Sequence, residues 1–370
     1  MAPSPEMNVQ RPSKSSVVRV VHHVLPALLA VATHGACAAP SAQAPEDEDA
    51  QDTENVDDSF LAGERLGPLP DTLAELGLFP DLEALEEPHV DAISFRPAHR
   101  LWTNGASKQR LLFLPPGTSV DTSAVPWRFP RGAVLAKTFF YPGRHDRPTP
   151  VETRILRHGA AGWDYAVYLW NEEATDAALL DGAAPVPVAV TIGEERFEHV
   201  VPSTLQCRSC HESAPGMVLG FDELRLAEPR EPGEVTQLER FYEDGWLGAL
   251  PEQPARIIAE DEATRSVLGY LEGNCTHCHN GGDGPASAFD LRHPVALEHL
   301  VDVPTTSELV GGWRVRSGAP EESGLFLALS RAEVTTAQPM PPLGVERVDE
   351  AAVELFRAWI TGLGEVRDER

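Results

Sequence analysis

The sequence predicts an α+β protein with more than one domain, in which a mostly antiparallel, sandwich-like β region precedes an α-helical region. Residues 66–201 contain short apolar or alternating runs separated by Pro- and Gly-rich segments, as is typical of antiparallel sheets. From residue 202 onward the apolar residues recur at helical spacing. With 370 residues the chain is also too long for one small core.

The amino terminus has the features of an export signal. A basic leader precedes an apolar run at residues 24–32, and the small residues Ala36-Cys37-Ala38 follow it. This pattern predicts a secretory signal peptide over 1–38 rather than a membrane span. The leader's basic residues are Arg11, Lys14 and Arg19.

A lipid anchor at Cys37 is an alternative outcome of processing. Gly35-Ala36-Cys37 matches the last three positions of a bacterial lipobox, although His34 stands where that motif has leucine. The signal would then be 1–36, whereas in the other reading Cys37 is discarded with the leader. Either outcome predicts a periplasmic or outer-membrane-associated protein.

Charge is strongly acidic along the chain. Residues 39–65 are rich in Asp and Glu and poor in large apolar side chains, so we expect a disordered linker there. Overall, the chain has 57 acidic residues and 30 basic residues. This balance makes nucleic acid a poor partner, and it favours a protein partner with a basic patch.

The β region is predicted to begin with a short helical segment at 72–85 and to contain strands near 134–140, 151–157 and 163–170. A glycine-bounded turn at 159–162 should join the last two strands. Its aromatic side chains are expected in the core: Trp127, Trp163, Tyr165, Tyr168 and Trp170.

The helical region is predicted to contain helices over 261–271 and 349–360. Two helices can cross closely at a glycine, so that an aromatic residue lies against it. Gly269 with Tyr270 on one helix and Trp359 on the other fit such a crossing.

Two copies of the pentapeptide Cys-x-x-Cys-His carry the chemistry. They are Cys207-Arg208-Ser209-Cys210-His211 and Cys275-Thr276-His277-Cys278-His279. Two cysteines at this spacing can reach both vinyl groups of one porphyrin, and the following histidine lies under the iron as its proximal ligand. The motifs therefore predict two covalently bound haem c groups, the first in residues 202–255 and the second in 256–370.

Two other interpretations use the same cysteines. Four thiolates could hold a structural zinc, and each pair could form a disulfide. Zinc sites place their pairs closer together as a rule. Neither alternative explains a histidine directly after each pair.

Met340 is the predicted sixth ligand of the second haem. A thioether suits haem iron, and the flanking prolines of Pro339-Met340-Pro341-Pro342 stiffen the loop that would present it. The order of haem motif, loop, methionine and last helix resembles a class I cytochrome c domain.

The first haem has a less obvious sixth ligand. Met217 follows His211 closely, and the short connection barely allows it to reach the opposite face of the porphyrin. An open position is a further alternative, as is a histidine from elsewhere: His145, His158, His199, His293 or His299.

Several segments resemble a family of bacterial dihaem c-type cytochromes of uncharacterised function, across nearly all the chain after the linker. This resemblance implies an electron-transfer module and a redox partner protein, such as a quinoprotein dehydrogenase. The segments are Arg131-Gly132-Ala133-Val134-Leu135-Ala136-Lys137-Thr138-Phe139, Glu152-Thr153-Arg154, Gly162-Trp163-Asp164-Tyr165, Trp170-Asn171-Glu172, Thr175-Asp176-Ala177, Pro202-Ser203, Val218-Leu219-Gly220, Asn274-Cys275 and Met340-Pro341-Pro342-Leu343-Gly344.

Three functional hypotheses follow. The first is an electron carrier outside the cytoplasm, not an enzyme, with electrons arriving from a dehydrogenase. The second is a dihaem peroxidase-like enzyme with one open haem face. In the third, the β region binds a sugar or a partner through an exposed polar segment at 103–108.

Overall fold

The computed structural model describes residues 67–143, 147–229, 233–282, 289–305, 312–332 and 338–368. The predicted signal, the acidic linker, Cys37 and His145 lie outside these residues. The described residues belong to one compact unit. Within it a β-rich part is followed by helices, which confirms the α+β class.

Six strands form one antiparallel meander in which each strand pairs with its neighbour in sequence. The hairpin between β4 and β5 closes where Gly159 pairs with Gly162, as the sequence predicts. The strands are β1 Ile93–Ser94, β2 Ser107–Phe113, β3 Val134–Pro142, β4 Pro148–Gly159, β5 Gly162–Trp170 and β6 Ala177–Leu179.

The two faces of this sheet pack against different parts of the chain, because side chains alternate along each strand. On one face Ala136, Ile155 and Tyr168 pack against the segment that contains Leu73 and Leu76. We call the opposite face the cavity face. There the apolar residues Leu112, Leu135 and Leu156 belong to a core that also contains Phe221, Leu238 and Phe241.

The sandwich prediction was wrong in its second layer. The only other sheet in the described residues is a hairpin of two strands, β7 Val186–Ile192 and β8 Glu195–Val201. A short 3-10 helix, Ala74–Leu76, covers one face of the meander where a sandwich would have a second sheet. Alternation along a strand predicts two faces, but it does not say what covers them.

Seven helices follow in the described residues: α1 Thr204–His211, α2 Glu223–Leu226, α3 Gln237–Glu243, α4 Glu262–Asn274, α5 Ala296–Leu300, α6 Gly324–Leu329 and α7 Glu350–Asp368. The two helices predicted near 261–271 and 349–360 are α4 and α7. Asp261 caps α4 by accepting from the Thr264 backbone N–H at 2.8 Å, which is why this helix begins there.

Helices α4 and α7 pack together. The Tyr270 ring meets Phe356 edge-on at 5.6 Å, and Trp359 Nε1 donates to Thr264 Oγ1 at 3.2 Å. Gly269 allows His99 to approach, since a Cβ there would lie 2.8 Å from His99 Nδ1. The two helices therefore pack together as predicted, and the side chain nearest to the Gly269 Cβ position is that of His99.

The segment 103–108 was predicted to be exposed, and this holds for Gly105 and Ser107 but not for its first two residues. Thr103 and Asn104 are buried. Asn104 Oδ1 accepts from the backbone N–H groups of Glu346 and Arg347 at 2.7 and 3.0 Å. This polar residue therefore joins the β-rich part to the loop before α7.

No helix among the described residues is both long and apolar enough to cross a bilayer.

A buried ion pair on β4 makes one contribution to stability testable. Glu152 is fully buried and accepts from Arg154 Nη2 at 2.5 Å and from His199 Nε2 at 2.8 Å. Burial alone would raise the pKa of Glu152, but Arg154 and His199 hold it at about 2. Because this pKa lies below its ordinary 4.5, the stabilisation is present above about pH 4.5 and is lost as the pH falls toward 2.

We expect Glu152→Gln to lower the free energy of unfolding at neutral pH by about 3 kcal/mol, because it leaves Arg154, whose side chain is only 24% exposed, without the carboxylate that pairs with it. Urea denaturation measured from pH 7 to pH 3 should show that the variant has lost part of the acid sensitivity. Asp164→Asn is the matched control. Its carboxylate pairs with Arg157 at 2.7 Å but is 46% exposed, so the expected loss is at most about 1 kcal/mol. Equal losses in both variants would contradict this account.

Candidate functional site

Helix α1 holds the first Cys-x-x-Cys-His motif in a fixed register. Ser203 and Gln206 form a capping box that starts the helix: the Ser203 side chain accepts from the Gln206 N–H, and Gln206 Oε1 accepts from the Ser203 N–H at 3.0 Å. Residues three and four apart in a helix share a face. The cap therefore places Cys207, Cys210 and His211 on one side of α1.

The His211 imidazole is oriented as a metal ligand. Its Nδ1 lies 2.6 Å from the Met217 carbonyl oxygen, and since a carbonyl only accepts, Nδ1 carries the proton. Nε2 then bears the lone pair. Burial lowers the pKa of His211 to about 4, and Lys137 and Arg154 act in the same direction. The ring is therefore neutral near pH 7, as a ligand must be.

Met217 lies on the wrong side of this imidazole for the role considered for it. Its carbonyl holds Nδ1, which points away from the side where Nε2 would meet an iron. The Met217 sulfur accepts from Tyr165 Oη at 3.7 Å. This geometry does not favour Met217 as a sixth ligand, and it gives the residue a different use, which is to orient His211.

The second motif begins at the end of α4. The backbone N–H groups of Cys278 and His279 both donate to the Cys275 carbonyl, at 3.1 and 2.9 Å. The His279 ring stacks on Phe289 with centroids 4.8 Å apart. Asn274 anchors the turn from its other side by donating to the Arg100 carbonyl at 3.1 Å.

The two motifs meet in space, which nothing in the sequence indicated. Ligand atoms of Cys210, His277 and Cys278 all lie within 4.8 Å of one another. Asn280 Nδ2 reinforces the contact by donating to the Ser213 carbonyl at 2.9 Å. A hydrogen bond between the two thiols raises the pKa of Cys210 to about 12 and lowers that of Cys278.

The same arrangement bears on the zinc and disulfide interpretations. Within the described part of the chain, the only cluster of three or more metal-ligating groups is Cys210, His277 and Cys278, so Cys207 and Cys275 do not complete a four-thiolate site. All four motif cysteines are free thiols in the structure.

A cavity of about 1070 Å³ lies over the cavity face of the sheet, and Cys207, Cys210 and His211 form part of its wall. Ligand pockets usually measure about 300–1,000 Å³, so this one can hold a large flat macrocycle. Much of the remaining wall is aromatic and suits an apolar ring: Phe95, Trp127, Phe129, Trp163, Tyr165 and Phe221.

Three of these aromatic residues were assigned to the core from the sequence. Trp127, Trp163 and Tyr165 are half-buried: they pack against the core of the cavity face and also line the cavity. Tyr168 and Trp170 are buried in the core as predicted. Alternating bulky residues on β5 therefore serve two faces, and only the sheet register reveals which residues reach the cavity.

Met340 lies beside this cavity. Its backbone N–H donates to the Ala328 carbonyl at 3.1 Å, and Arg331 Nη2 fixes the following loop by donating to the Pro341 carbonyl at 3.0 Å. The next residues, including Pro341 and Val345, line the cavity wall. The assignment of Met340 to the second haem stays a prediction.

The histidines considered as sixth ligands differ in which ring nitrogens already make hydrogen bonds. His199 uses both, since Nε2 contacts Glu152 and Nδ1 lies 3.0 Å from Tyr141 Oη. His299 binds the Asp290 carbonyl through Nδ1. His158 and His293 line the cavity, and each uses Nδ1 for a hydrogen bond.

Comparisons with known proteins identify no relative of this chain. No family model matches the chain, and no curated protein or solved structure matches it significantly.

Proposed function

We propose that this chain is a dihaem c-type cytochrome that carries single electrons outside the cytoplasm. One haem would be held by Cys207, Cys210 and His211, and the other by Cys275, Cys278 and His279. The observation that carries the proposal is the His211 imidazole, fixed through Nδ1 by the Met217 carbonyl beside a cavity that its two cysteines also line.

The residues of the first site fit a covalently attached porphyrin in three ways. The helix presents both thiols on one face, the aromatic wall excludes water, and the neutral imidazole offers Nε2. Haem iron supplies one-electron oxidation and reduction when bound, at a potential set by its axial ligands and burial.

The contact between the two motifs supports a relay between two centres. Because Cys210 and Cys278 lie side by side, groups attached through these sulfurs would be neighbours. Asn280 and Ser213 hold the two segments together at that point. Electrons could then pass between the centres without leaving the protein.

We propose that the electron donor is a dehydrogenase outside the cytoplasm, and that a quinoprotein dehydrogenase is the first candidate to test. The chain has a formal net charge of −27, so a complementary partner would present a basic surface and would associate more slowly at high salt. A periplasmic or outer-membrane-associated location, with or without a lipid on Cys37, belongs to the same proposal.

A peroxidase-like enzyme is the second candidate. The placement of Met217 favours it, because the Met217 carbonyl contacts His211 Nδ1 and the Met217 sulfur accepts from Tyr165, an arrangement that does not favour this methionine as a ligand of the first site. An open iron face there could bind peroxide.

Carbon monoxide separates the two candidates, because it binds ferrous haem only where a coordination position is open or weakly held. For the electron carrier we expect two low-spin haems, an unchanged reduced spectrum under carbon monoxide and no peroxide turnover. A high-spin signal with carbon monoxide binding and peroxide turnover would contradict the carrier and support the enzyme.

A further inference from the structure

Three cations stand side by side on the cavity face of the sheet. Arg110 on β2 pairs directly with Lys137 on β3, and Lys137 pairs directly with Arg154 on β4. All three side chains line the cavity. We call them the cation row. Like charges directly opposite one another on neighbouring strands are destabilising, so this arrangement calls for an anion.

Of the three cations, only Arg154 has a carboxylate partner among the described residues. Arg154 donates to Glu152 through Nε at 2.9 Å and Nη2 at 2.5 Å, and Glu152 is shared with His199. In the described part of the chain, Arg110 and Lys137 have no side-chain hydrogen bond or ion pair. Lys137 only lies over the Phe139 ring at 4.8 Å.

The pKa values of Lys137 and Arg110 are both lowered. Burial lowers the pKa of Lys137 well below its ordinary value, and Arg110, Lys108 and Arg154 lower it further. Burial, with Arg100 and Arg96, lowers the pKa of Arg110 to about 10. Burial is the first cause of both shifts, and the neighbouring cations add to it, while Glu152 opposes the shift of Lys137.

The acidic residues in the cavity wall are engaged elsewhere. Asp222 Oδ2 accepts from Arg225 at 2.7 Å, Glu223 accepts from the Ala255 N–H at 2.6 Å, and Glu272 Oε1 binds His293 at 2.9 Å. A chain with a net charge of −27 thus leaves the buried Arg110 and the half-buried Lys137 unmatched in this cavity.

We propose that the cation row binds the propionate carboxylates of the porphyrin attached to the first motif. This rests on the proposed function, and it gives the β-rich part a role in cofactor binding. Cys207, Cys210 and His211 line the same cavity as the row. Lys137 and Arg154 are also near enough to His211 to act on its imidazole electrostatically.

The test measures the two reduction potentials of the holoprotein with Arg110→Gln and with Lys137→Gln. An unpaired propionate charge stabilises ferric iron, so one potential should fall while the other changes much less. Each variant should shift that oxidation–reduction equilibrium by about tenfold, which is about 59 mV for one electron. Lys137→Arg should retain the original potential. Arg131→Gln, which removes an exposed cation outside the cavity wall, should do the same.

Three results would overturn the inference. Unchanged potentials in both glutamine variants would remove any role for the row. A low-spin to high-spin change in Lys137→Gln alone would make the lysine amine an iron ligand instead. A saturable shift of the wild-type potential by added acetate, abolished in the variants, would mean that the row binds a free carboxylate. Purified protein without haem would defeat the proposed function first, so the two failures are distinguishable.

Discussion

Replacing both Cys207 and Cys210 with alanine is expected to give a protein that carries one haem in place of two. Both thiols of the first motif lie on one face of α1 at the cavity wall, and without them no thioether bond can hold a porphyrin there. Haem absorbance per polypeptide should fall to about half, because we propose that each motif holds one haem. We also expect a lower melting temperature, since the cavity of about 1070 Å³ would lose its occupant.

Ser209→Ala is the matched control inside the same motif. Ser209 occupies a position between the two cysteines, and its hydroxyl donates only to the Leu205 carbonyl at 2.9 Å. This variant should keep both haems and nearly the wild-type melting temperature. A cysteine double variant that still carries two haems would show that the first motif is not an attachment site.

Replacing Met340 with histidine is expected to lower the reduction potential of one haem by hundreds of millivolts. Methionine opposite histidine raises the potential of haem iron relative to two nitrogen ligands, and axial ligation spans about 0.8 V across proteins. The sulfur-to-iron charge-transfer absorption of the oxidised protein should disappear with it. Redox titration followed by visible spectroscopy measures both changes.

Met217→Leu is the control for this second prediction. The Met217 carbonyl, which a substitution retains, makes the contact with His211, and its sulfur contacts Tyr165. We expect the charge-transfer absorption to persist and both potentials to stay near the wild-type values. Loss of that absorption in Met217→Leu, with its retention in Met340→His, would reverse the assignment of the methionine ligand.

Local sequence patterns predicted individual elements of the fold well. Strands β3, β4 and β5 and helices α4 and α7 all appear where periodicity indicated them. These elements are encoded by nearby residues, namely alternating side chains in the strands and an Asp261 cap with apolar residues at helical spacing in α4. The sequence did not predict what covers each face of the sheet. The segment around Leu73, which covers one face, has no strand pattern.

The candidate site was predictable in its chemistry but not in its surroundings. The cysteines and histidines stand within a few residues of one another, so their spacing carries the information. The contact of Cys210 with Cys278 depends on tertiary folding between distant segments. Likewise, Arg110, Lys137 and Arg154 look unrelated in the sequence, and only the register of β2, β3 and β4 places them in one row.

Intact mass and metal analysis of the same purified mature protein determine whether each cysteine pair carries a haem. We expect a polypeptide heavier than its sequence by two haem groups, with two iron atoms per chain. A mature polypeptide with no added mass, or one that carries zinc bound by Cys210, His277 and Cys278, would contradict this expectation.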